Sequence, residues 1–416
     1  MKSYDSKTWK MFALFPIIAL IIVSYQNCSQ GFDSTGQVGA ATGRSDTSTP
    51  NENDNGVSGG LGCSASTGIA KNFPCSIYFN QATDSIVLTA AQKNYSDHLI
   101  NGLNARGGWG NSNIFQVDTS IDVLETSDQH SSFYSVDPDD GWTDADRFTQ
   151  VPAPPLGSSA GFESSDGTAC DGGDCHYLVL DKKNRRLYEF YRAEVSGKRL
   201  ANAGYGGAVI WPFDKMWTES LRGDVCTSAD AGGFSIGAML FSAEELAAGA
   251  INHAVRFILP NTRIANRTYV RPATHTTGDN TGRWAPAPTD DLTGPPLTDS
   301  SLEPGLPYGT RLRLKASFNI SNLNGPAQVV ARALKKYGMI LADGGEIALT
   351  AKADAHSSVK YSSLGFSPRS LSSLKVSDFE VVPPIQPKPF PTGLTFQPTL
   401  IGPMIKVKYL DCYLNN

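Results

Sequence analysis

The sequence is poor in charged residues and has no excess of basic ones. It contains 35 lysines and arginines against 40 aspartates and glutamates, and charged residues make up 18% of the chain. With a net charge of −5, the chain has no positive field of the kind that neutralises phosphates. We therefore expect no nucleic-acid partner.

Motifs for metals and cofactors are also missing. The sequence has no Cys-x-x-Cys, no pair of histidines at zinc-ligand spacing and no regular Asp-x-Asp-x-Asp-Gly calcium loop. A phosphate-binding nucleotide loop is absent as well. We expect neither a metal nor a cofactor.

The N-terminal apolar run, Met11–Val23, is too short to cross a bilayer of about 30 Å but has the length of an export signal. A lysine-containing start precedes it and Cys28 follows it. A cysteine placed there is where bacterial lipoprotein precursors are acylated and cut. The sequence therefore predicts a signal peptide over 1–27, export to the cell envelope and a membrane anchor through lipid on Cys28.

The residues before Cys28 differ from the usual lipobox, which resembles Leu-(Ala/Ser)-(Gly/Ala)-Cys. Tyr25 and Asn27 stand where small residues fit the signal peptidase. Two alternatives therefore stay open, namely a signal that is uncleaved or cleaved elsewhere, and a cytoplasmic protein.

The cysteine count agrees with export. Of the seven cysteines, Cys28 is assigned to lipid, which leaves an even number for disulfides in an oxidising compartment. Their spacing favours three pairs, although sequence alone does not fix the connectivity and buried free thiols are the alternative. The favoured pairs are Cys63 with Cys75, Cys170 with Cys175, and Cys226 with Cys412.

Composition divides the chain into a tether and a body. Residues 28–62 are rich in Ser, Gly, Thr and Asn and cannot bury enough apolar surface to fold, so they are expected to be a flexible tether. Residues 63–416 form a single large body. Its share of the 40 glycines and 25 prolines favours extended strands joined by turns.

Period-2 alternation predicts an all-β body of jelly-roll or β-sandwich type with few short helices. A hairpin is expected at 176–191, with its turn at 181–184. Further strands are expected at 251–259, 311–320 and 404–409, and short helices at 243–248 and 326–337, each ended by glycine. The proline-rich stretch 381–403 is expected to be an extended strap.

Four segments resemble, in the same order, motifs of a largely uncharacterised family of secreted bacterial proteins and lipoproteins. The family carries S-A-D-A-x-G, G-x-I-x-H-A-x-R-F, R-L-K-A-S-F and Y-G-M-I-L-A-D. The corresponding segments here begin at Ser228, Gly249, Arg311 and Tyr337. The resemblance covers about residues 174–380 and implies secretion and a common fold, but no activity.

This chain differs from the family pattern at two positions. Gly232 stands where the family usually has alanine. Thr274 stands where an arginine is expected, within Pro-Ala-Thr-His275 in place of Pro-Ala-Arg-His.

Paired carboxylates are the groups that cleave glycans, one as proton donor and the other as base or nucleophile. Asp230, in a turn of small residues, and Asp343, where a strand runs into a glycine turn, are the leading candidates. The structural alternative for each is an Asx-turn that binds its own backbone.

His253 and His275 are the candidate supporting catalytic groups. His253 shares a strand face with apolar residues, so a core histidine is the alternative; His275 lies near Arg271, and a surface loop is its alternative. Four arginines are candidates for binding substrate, with the solvated face of a sheet as their alternative. They are Arg256, Arg271, Arg311 and Arg313.

Two further patterns in the sequence are weaker. Gly233-Phe-Ser235-Ile-Gly237 fits the nucleophile elbow Gly-x-Ser-x-Gly but lacks the apolar strand that an elbow needs before it, so we interpret it as a chance match. The tryptophans are candidate sugar-stacking platforms, with core packing as the more usual role.

Two functions follow from these residues. The first is a lipid-anchored envelope enzyme of glycoside hydrolase type that cleaves polysaccharide with paired carboxylates. The second is a non-catalytic surface lipoprotein that binds glycan or is structural. Convergence of charged residues from separate segments would favour the enzyme, and scattered acids would favour the binding protein.

Overall fold

The computed structural model describes residues 62–126, 133–137, 146, 150–152, 176–191, 193–196, 199–202, 208–224, 226–276, 305–383 and 387–389. The predicted signal peptide, Cys28 and nearly all of the tether lie outside these residues. So do three more cysteines, the strand predicted at 404–409 and most of the strap predicted at 381–403.

Strands outnumber helices in the described part of the chain. The helices are α1 (Ala90–Ala105), α2 (Gly110–Asn113), α3 (Ile236–Met239), α4 (Ala243–Ala248) and α5 (Gly325–Lys336). The strands are β1 (Val117–Ile121), β2 (Val123–Glu125), β3 (Phe133–Asp137), β4 (Gln150–Pro152), β5 (His176–Asp181), β6 (Arg186–Tyr191), β7 (Ala193–Ser196), β8 (Arg199–Asn202), β9 (Ala208–Pro212), β10 (Val255–Leu259), β11 (Ile264–Val270), β12 (Leu306–Tyr308), β13 (Arg311–Leu314), β14 (Met339–Gly344), β15 (Leu349–Lys352), β16 (Phe379–Val382) and β17 (Pro387–Pro389).

The largest described sheet has six strands in the order β1-β15-β10-β14-β13-β16. The pairs β1 with β15 and β10 with β14 are parallel, and the other three are antiparallel. Every residue of β10 and β13 is buried. The centre of this sheet is therefore covered on both faces, as is usual where strands run parallel.

Two helices pack against the strands at one end of this sheet. α1 packs on β16, where Ser96 Oγ accepts a hydrogen bond of 2.8 Å from Val381 N. α5 follows β13 in the chain, packs against it and leads into β14. The remaining sheets have the orders β2-β5-β6-β9, β4-β3-β8-β7 and β12-β11-β17.

The expectation of a strand-rich body with few helices is confirmed. A jelly-roll or β-sandwich topology is not confirmed, because the sheets mix parallel with antiparallel pairs, whereas those folds are antiparallel. α1, with 16 residues, is also longer than the short helices that the sequence predicts.

Local signals placed several elements well. The hairpin is confirmed, with β5 and β6 paired from His176 opposite Tyr191 to Asp181 opposite Arg186. α4 has the predicted bounds and ends at Gly249, which has a φ of 79°. The strands predicted at 251–259 and 311–320 are shorter than expected, since β10 begins at Val255 and β13 ends at Leu314.

The core holds most of the described aromatic side chains. Trp109, Trp211 and Trp217 are buried, and Trp109 Nε1 donates to Leu374 O at 3.0 Å. These three tryptophans are therefore core residues and not stacking platforms. No helix within the described ranges is long and apolar enough to span a membrane.

One predicted disulfide is present and closes a short loop at the start of the body. Cys63 and Cys75 are bonded, as the sequence predicts. Cys226 is disulfide-bonded too. The predicted partner Cys412 and the predicted pair Cys170 with Cys175 lie outside the described residues.

Candidate functional site

Arg256 and Asp230 form a buried ion pair at the centre of the candidate site. Arg256 lies on β10, and its Nε and Nη2 donate to Asp230 Oδ2 and Oδ1 at 3.1 and 2.9 Å. The Asp230 side chain is fully buried and that of Arg256 is 3% exposed. Such a two-point contact between planar groups fixes the orientation of both. Asp230 thus holds Arg256 in place.

The Ser228–Gly233 loop that carries Asp230 is fastened to its surroundings by its own small residues. Ser228 Oγ accepts from Asp230 N at 3.0 Å, and Gly232 N donates to Ala342 O of β14 at 2.8 Å. A Cβ at Gly232 would lie 2.9 Å from the same carbonyl oxygen and 2.7 Å from the Phe234 ring. The glycine at 232 therefore allows the close approach of the loop to β14.

Asp343 brings a second carboxylate to Arg256. It lies near the end of β14, which runs parallel to β10, and its Oδ2 is 3.3 Å from Arg256 Nη2. Gly344 N donates to Asp343 Oδ1 at 2.7 Å, and Ala231 N donates to Oδ2 at 3.4 Å. The Asp343 side chain is 17% exposed, in contrast to that of Asp230. Of the two carboxylates, Asp343 is the one that solvent reaches.

His275 is joined to the two acids through the loop backbone. Its Nδ1 lies 2.9 Å from Ala231 O, and because a carbonyl oxygen only accepts, Nδ1 carries the proton. The amide of Ala231 donates to Asp343. His275 is half-buried, and Thr274 beside it donates to Cys226 O at 2.7 Å. The side chain of Thr274 therefore holds the backbone at Cys226.

Four of the predicted site residues thus converge from four separate segments of the chain. Asp230, Arg256, His275 and Asp343 form one connected set of contacts, which we call the acid cluster. The cluster contains a partly exposed acid, which contacts the buried ion pair, and a half-buried histidine, which is joined to that acid through Ala231. Groups of this kind can exchange protons with a bound molecule.

His253 belongs to a different part of the molecule. It is fully buried, its Nε2 lies 3.1 Å from Glu245 Oε1 of α4, and its Nδ1 lies 2.8 Å from Ala254 O. Burial opposes the charged imidazole, but the charge of Glu245 and these hydrogen bonds raise the pKa of His253. With an acceptor at each nitrogen, His253 is protonated on both.

Glu245 is the other half of this buried pair. Burial alone would raise its pKa, yet the charge of His253 and hydrogen bonds from His253, Thr67 and Ser242 lower it. Ser242 is also the N-cap of α4 and forms a capping box with Glu245. The pair links α4 to the segment before β10 and contacts no member of the acid cluster.

Three of the predicted substrate-binding arginines hold the protein's own backbone or surface acids. Arg311 donates to the carbonyl oxygens of Tyr337, Tyr78 and Gln81. Arg313 binds Glu380 Oε1 at 2.7 Å and the carbonyl oxygens of Thr83 and Ile86.

Arg271 pairs with Asp224 at 2.5 Å and donates to Ala273 O. Only Arg256 of the four predicted arginines lies in the acid cluster.

Ser235 does not occupy a nucleophile elbow. It is the N-cap of α3, is 1% exposed, and donates to Glu189 Oε1 at 2.9 Å. The interpretation of the Gly-x-Ser-x-Gly match as chance agrees with this position.

Glu189 is the buried acid that the sequence analysis missed. Burial, opposed by hydrogen bonds from Gly237, Ile236 and Ser235, raises the pKa of Glu189 to about 7. The sequence does carry a signal for its burial. Glu189 lies two residues after Leu187 in a predicted strand, so the two side chains share one face, and Leu187 is buried.

Within the residues that the structure describes, no three His, Cys, Asp or Glu side chains are grouped so that they could hold a metal ion. Comparison with protein families, with curated proteins and with solved structures finds no match for this chain.

Proposed function

We propose that this chain is an exported, lipid-anchored protein of the bacterial cell envelope that cleaves polysaccharide at the acid cluster. The observation that carries the proposal is the convergence of Asp230, Arg256, His275 and Asp343 from four separate segments. A sheet needs no such arrangement for its stability, since buried ion pairs are weakly stabilising compared with apolar packing. Their concentration at one place favours a catalytic role.

The roles follow from exposure. Asp343, the acid that solvent reaches, acts as base or nucleophile, and His275 acts as the proton donor. Asp230 is fully buried with both oxygens bound to Arg256, so it cannot touch a polysaccharide. We therefore assign Asp230 and Arg256 the task of positioning Asp343, in place of a direct catalytic role for Asp230.

The test is release of reducing ends from a panel of bacterial and plant polysaccharides by the purified mature chain. Asp343→Asn and His275→Gln are expected to lower the rate by about 100-fold or more, the usual contribution of a proton-transfer group. Glu346→Gln is the matched control, because Glu346 is exposed, lies three residues from Asp343 and is outside the acid cluster. Equal rates for all three variants, with thermal unfolding unchanged, would overturn the assignment.

A second candidate function is glycan binding without cleavage. The observation that favours it is the burial of Asp230, which leaves Asp343 as the only one of the two predicted catalytic carboxylates in contact with solvent. Polysaccharide cleavage by hydrolysis ordinarily requires two. Retention of the protein on an immobilised glycan, with no reducing ends released from it, would support this function over the first.

Export and lipid anchoring are supported by the apolar run before Cys28 and by the disulfide between Cys63 and Cys75. Mass spectrometry of the N-terminal peptide tests the anchor. Acyl chains on Cys28 are expected, and a mature N-terminus that begins elsewhere would contradict it.

A further inference from the structure

A cavity of about 680 Å³ lies apart from the acid cluster. It is bordered by the segment after Cys63, the β5–β6 turn, α4 and the end of β15. None of the four side chains of the acid cluster lines it. Its volume falls within the range of about 300–1,000 Å³ that is usual for small-ligand sites.

Cationic side chains from three separate elements meet at this cavity. Lys71 comes from the N-terminal segment, Lys182 and Arg185 from the β5–β6 turn, and Lys352 from β15. The acids in the lining are Glu125, Glu244 and Glu245. This local excess of positive charge contrasts with the net charge of −5 of the whole chain.

The cations differ in how far they are already neutralised. Lys182 and Lys352 lie 2.5 and 3.2 Å from the carboxylate of Glu125, so they share one negative charge. Lys71 and Arg185 are exposed, and neither has a carboxylate partner within the described part of the chain. These two side chains carry the positive charge that a ligand would meet.

The other two acids in the lining are Glu244 and Glu245. Glu245 is held by His253 and by the capping box with Ser242, and Glu244 is exposed beside it on α4. Carboxylates in the lining oppose a doubly charged group such as a phosphate and accept hydrogen bonds from hydroxyl groups. The lining thus suits a singly charged, hydroxyl-rich ligand.

Part of the cavity wall is apolar. Ile69, Leu180, Phe213 and Leu240 line it and are nearly fully buried by the rest of the protein. Apolar walls with a few polar groups at the rim are the usual lining of a small-molecule site. The C–H faces of a sugar ring fit such walls while its hydroxyls reach the rim.

We propose that this cavity is a binding site for a short acidic saccharide, whose carboxylate is bound by Lys71 and Arg185. Arg185 provides a planar group that matches a carboxylate with two parallel hydrogen bonds. Glu125 borders the same space, and its carboxylate, which Lys182 and Lys352 share, has lone pairs left to accept from the hydroxyls of the sugar. The site requires no reaction at the acid cluster and is independent of polysaccharide cleavage.

The test is calorimetric titration of the mature chain with an aldobiouronic acid, a disaccharide of one uronic acid and one neutral sugar that carries a single carboxylate. A neutral disaccharide of the same size and a hexose phosphate are titrated in parallel. The test variant is Lys71→Gln combined with Arg185→Gln, and Lys183→Gln is the matched control. Lys183 is exposed on the same turn but does not line the cavity.

The acidic disaccharide is expected to bind, with the neutral one at least tenfold weaker. Loss of two charged hydrogen-bond donors should weaken binding about 100-fold in the double variant and leave the Lys183→Gln protein unchanged. Equal affinity for neutral and acidic sugars, tighter binding of the hexose phosphate, no binding of the acidic sugar, or equal losses in the double variant and the control would each overturn the proposal.

Discussion

Glu189 is a carboxylate buried in the core whose described hydrogen-bond donors are all neutral. They are Trp211 Nε1, Ser235 Oγ and the amides of Ile236 and Gly237, at 2.8 to 3.0 Å. Burial outweighs these bonds and raises the pKa of Glu189 to about 7, and the negative charge of Asp230 adds to the shift.

The raised pKa makes the stability of the protein depend on pH. The ordinary pKa of a glutamate carboxyl is 4.5, so between pH 4.5 and about 7 the folded state binds a proton that the unfolded state has released. The free energy of unfolding therefore falls as the pH rises through this window. The contribution of Glu189 is about 3 kcal/mol smaller above pH 7 than below pH 4.5.

Glu189→Gln removes this titration and is expected to remove that share of the pH dependence. The variant is expected to be less stable than the native protein at pH 4, because one N–H of its amide group faces N–H donors. Its deficit should shrink by about 3 kcal/mol between pH 4 and pH 8, since only the native protein loses stability from Glu189. Urea denaturation of both proteins at the two pH values measures this, and a deficit that is constant with pH would refute the assignment.

The arginines show what one sequence conveys about a single side chain. Alternation of Arg311 and Arg313 with leucines indicates a strand, and β13 is one. One alternative for the face that carries the arginines was exposure to solvent. Both arginines are instead buried under the segment from Tyr78 to Ile86. Burial of that face depends on chain far away in sequence, so alternation cannot reveal it.

At the scale of elements, helix ends are where sequence and structure agree best. Asn324 precedes α5 with a proline inside its first turn, and Asn324 Oδ1 accepts from Ala327 N at 2.9 Å. α1 carries a comparable signal, a capping box between Thr89 and Gln92, that the sequence analysis did not use. Caps depend on residues three apart, so they can be read without knowing the fold.

Asn324 makes a second contact besides the cap, and two variants can distinguish the contributions of the two contacts to stability. Its Nδ2 donates to Gly365 O at 3.0 Å. Asn324→Ala is expected to destabilise the protein by about 1 kcal/mol through loss of the cap. Asn324→Asp keeps the cap, favours the positive end of the helix and loses only the bond to Gly365, so it should remain within about 0.5 kcal/mol of the native protein. Thermal unfolding of the two variants measures both losses of stability. Equal losses would show that the bond to Gly365, and not the cap, stabilises the protein.

Strand lengths were harder to predict than helix ends, for a physical reason. The segment before Val255 alternates like a strand, but His253 turns inward to pair with Glu245, and the ladder starts only afterwards. After Leu314, Phe318 N bonds to Lys315 O, which forms a turn and ends β13. Tertiary contacts therefore decide where alternation becomes a paired strand.

At the scale of the whole molecule, the acid cluster was predicted in part. Asp230, Asp343, His275 and Arg256 were chosen as candidates from their sequence surroundings, and they do meet. Sequence did not show that Asp230 is buried or that His253 lies elsewhere, because both depend on how β10, β14 and the Ser228–Gly233 loop pack. The cationic cavity was not predicted, since its lysines come from elements that pair only in the fold.

The disulfide between Cys63 and Cys75 ties the start of the body to the core. The loop that it closes spans 12 positions and carries Ile69, Ala70 and Phe73, all buried. A disulfide that closes a loop of this size lowers the entropy of the unfolded chain and so stabilises the folded state by about 3 kcal/mol. The loop also carries Lys71, so its integrity supports the cavity as well as the core.

Replacement of both cysteines, Cys63→Ser with Cys75→Ser, is expected to lower the free energy of unfolding by about 3 kcal/mol. Ser64→Ala is the control, since Ser64 is exposed in the same loop and its loss should change little. In cells, alkylation of free thiols before lysis should leave both cysteines unlabelled, because a stable disulfide forms in an oxidising compartment. Full labelling of both cysteines would show that the protein resides where thiols stay reduced, and would contradict its proposed export.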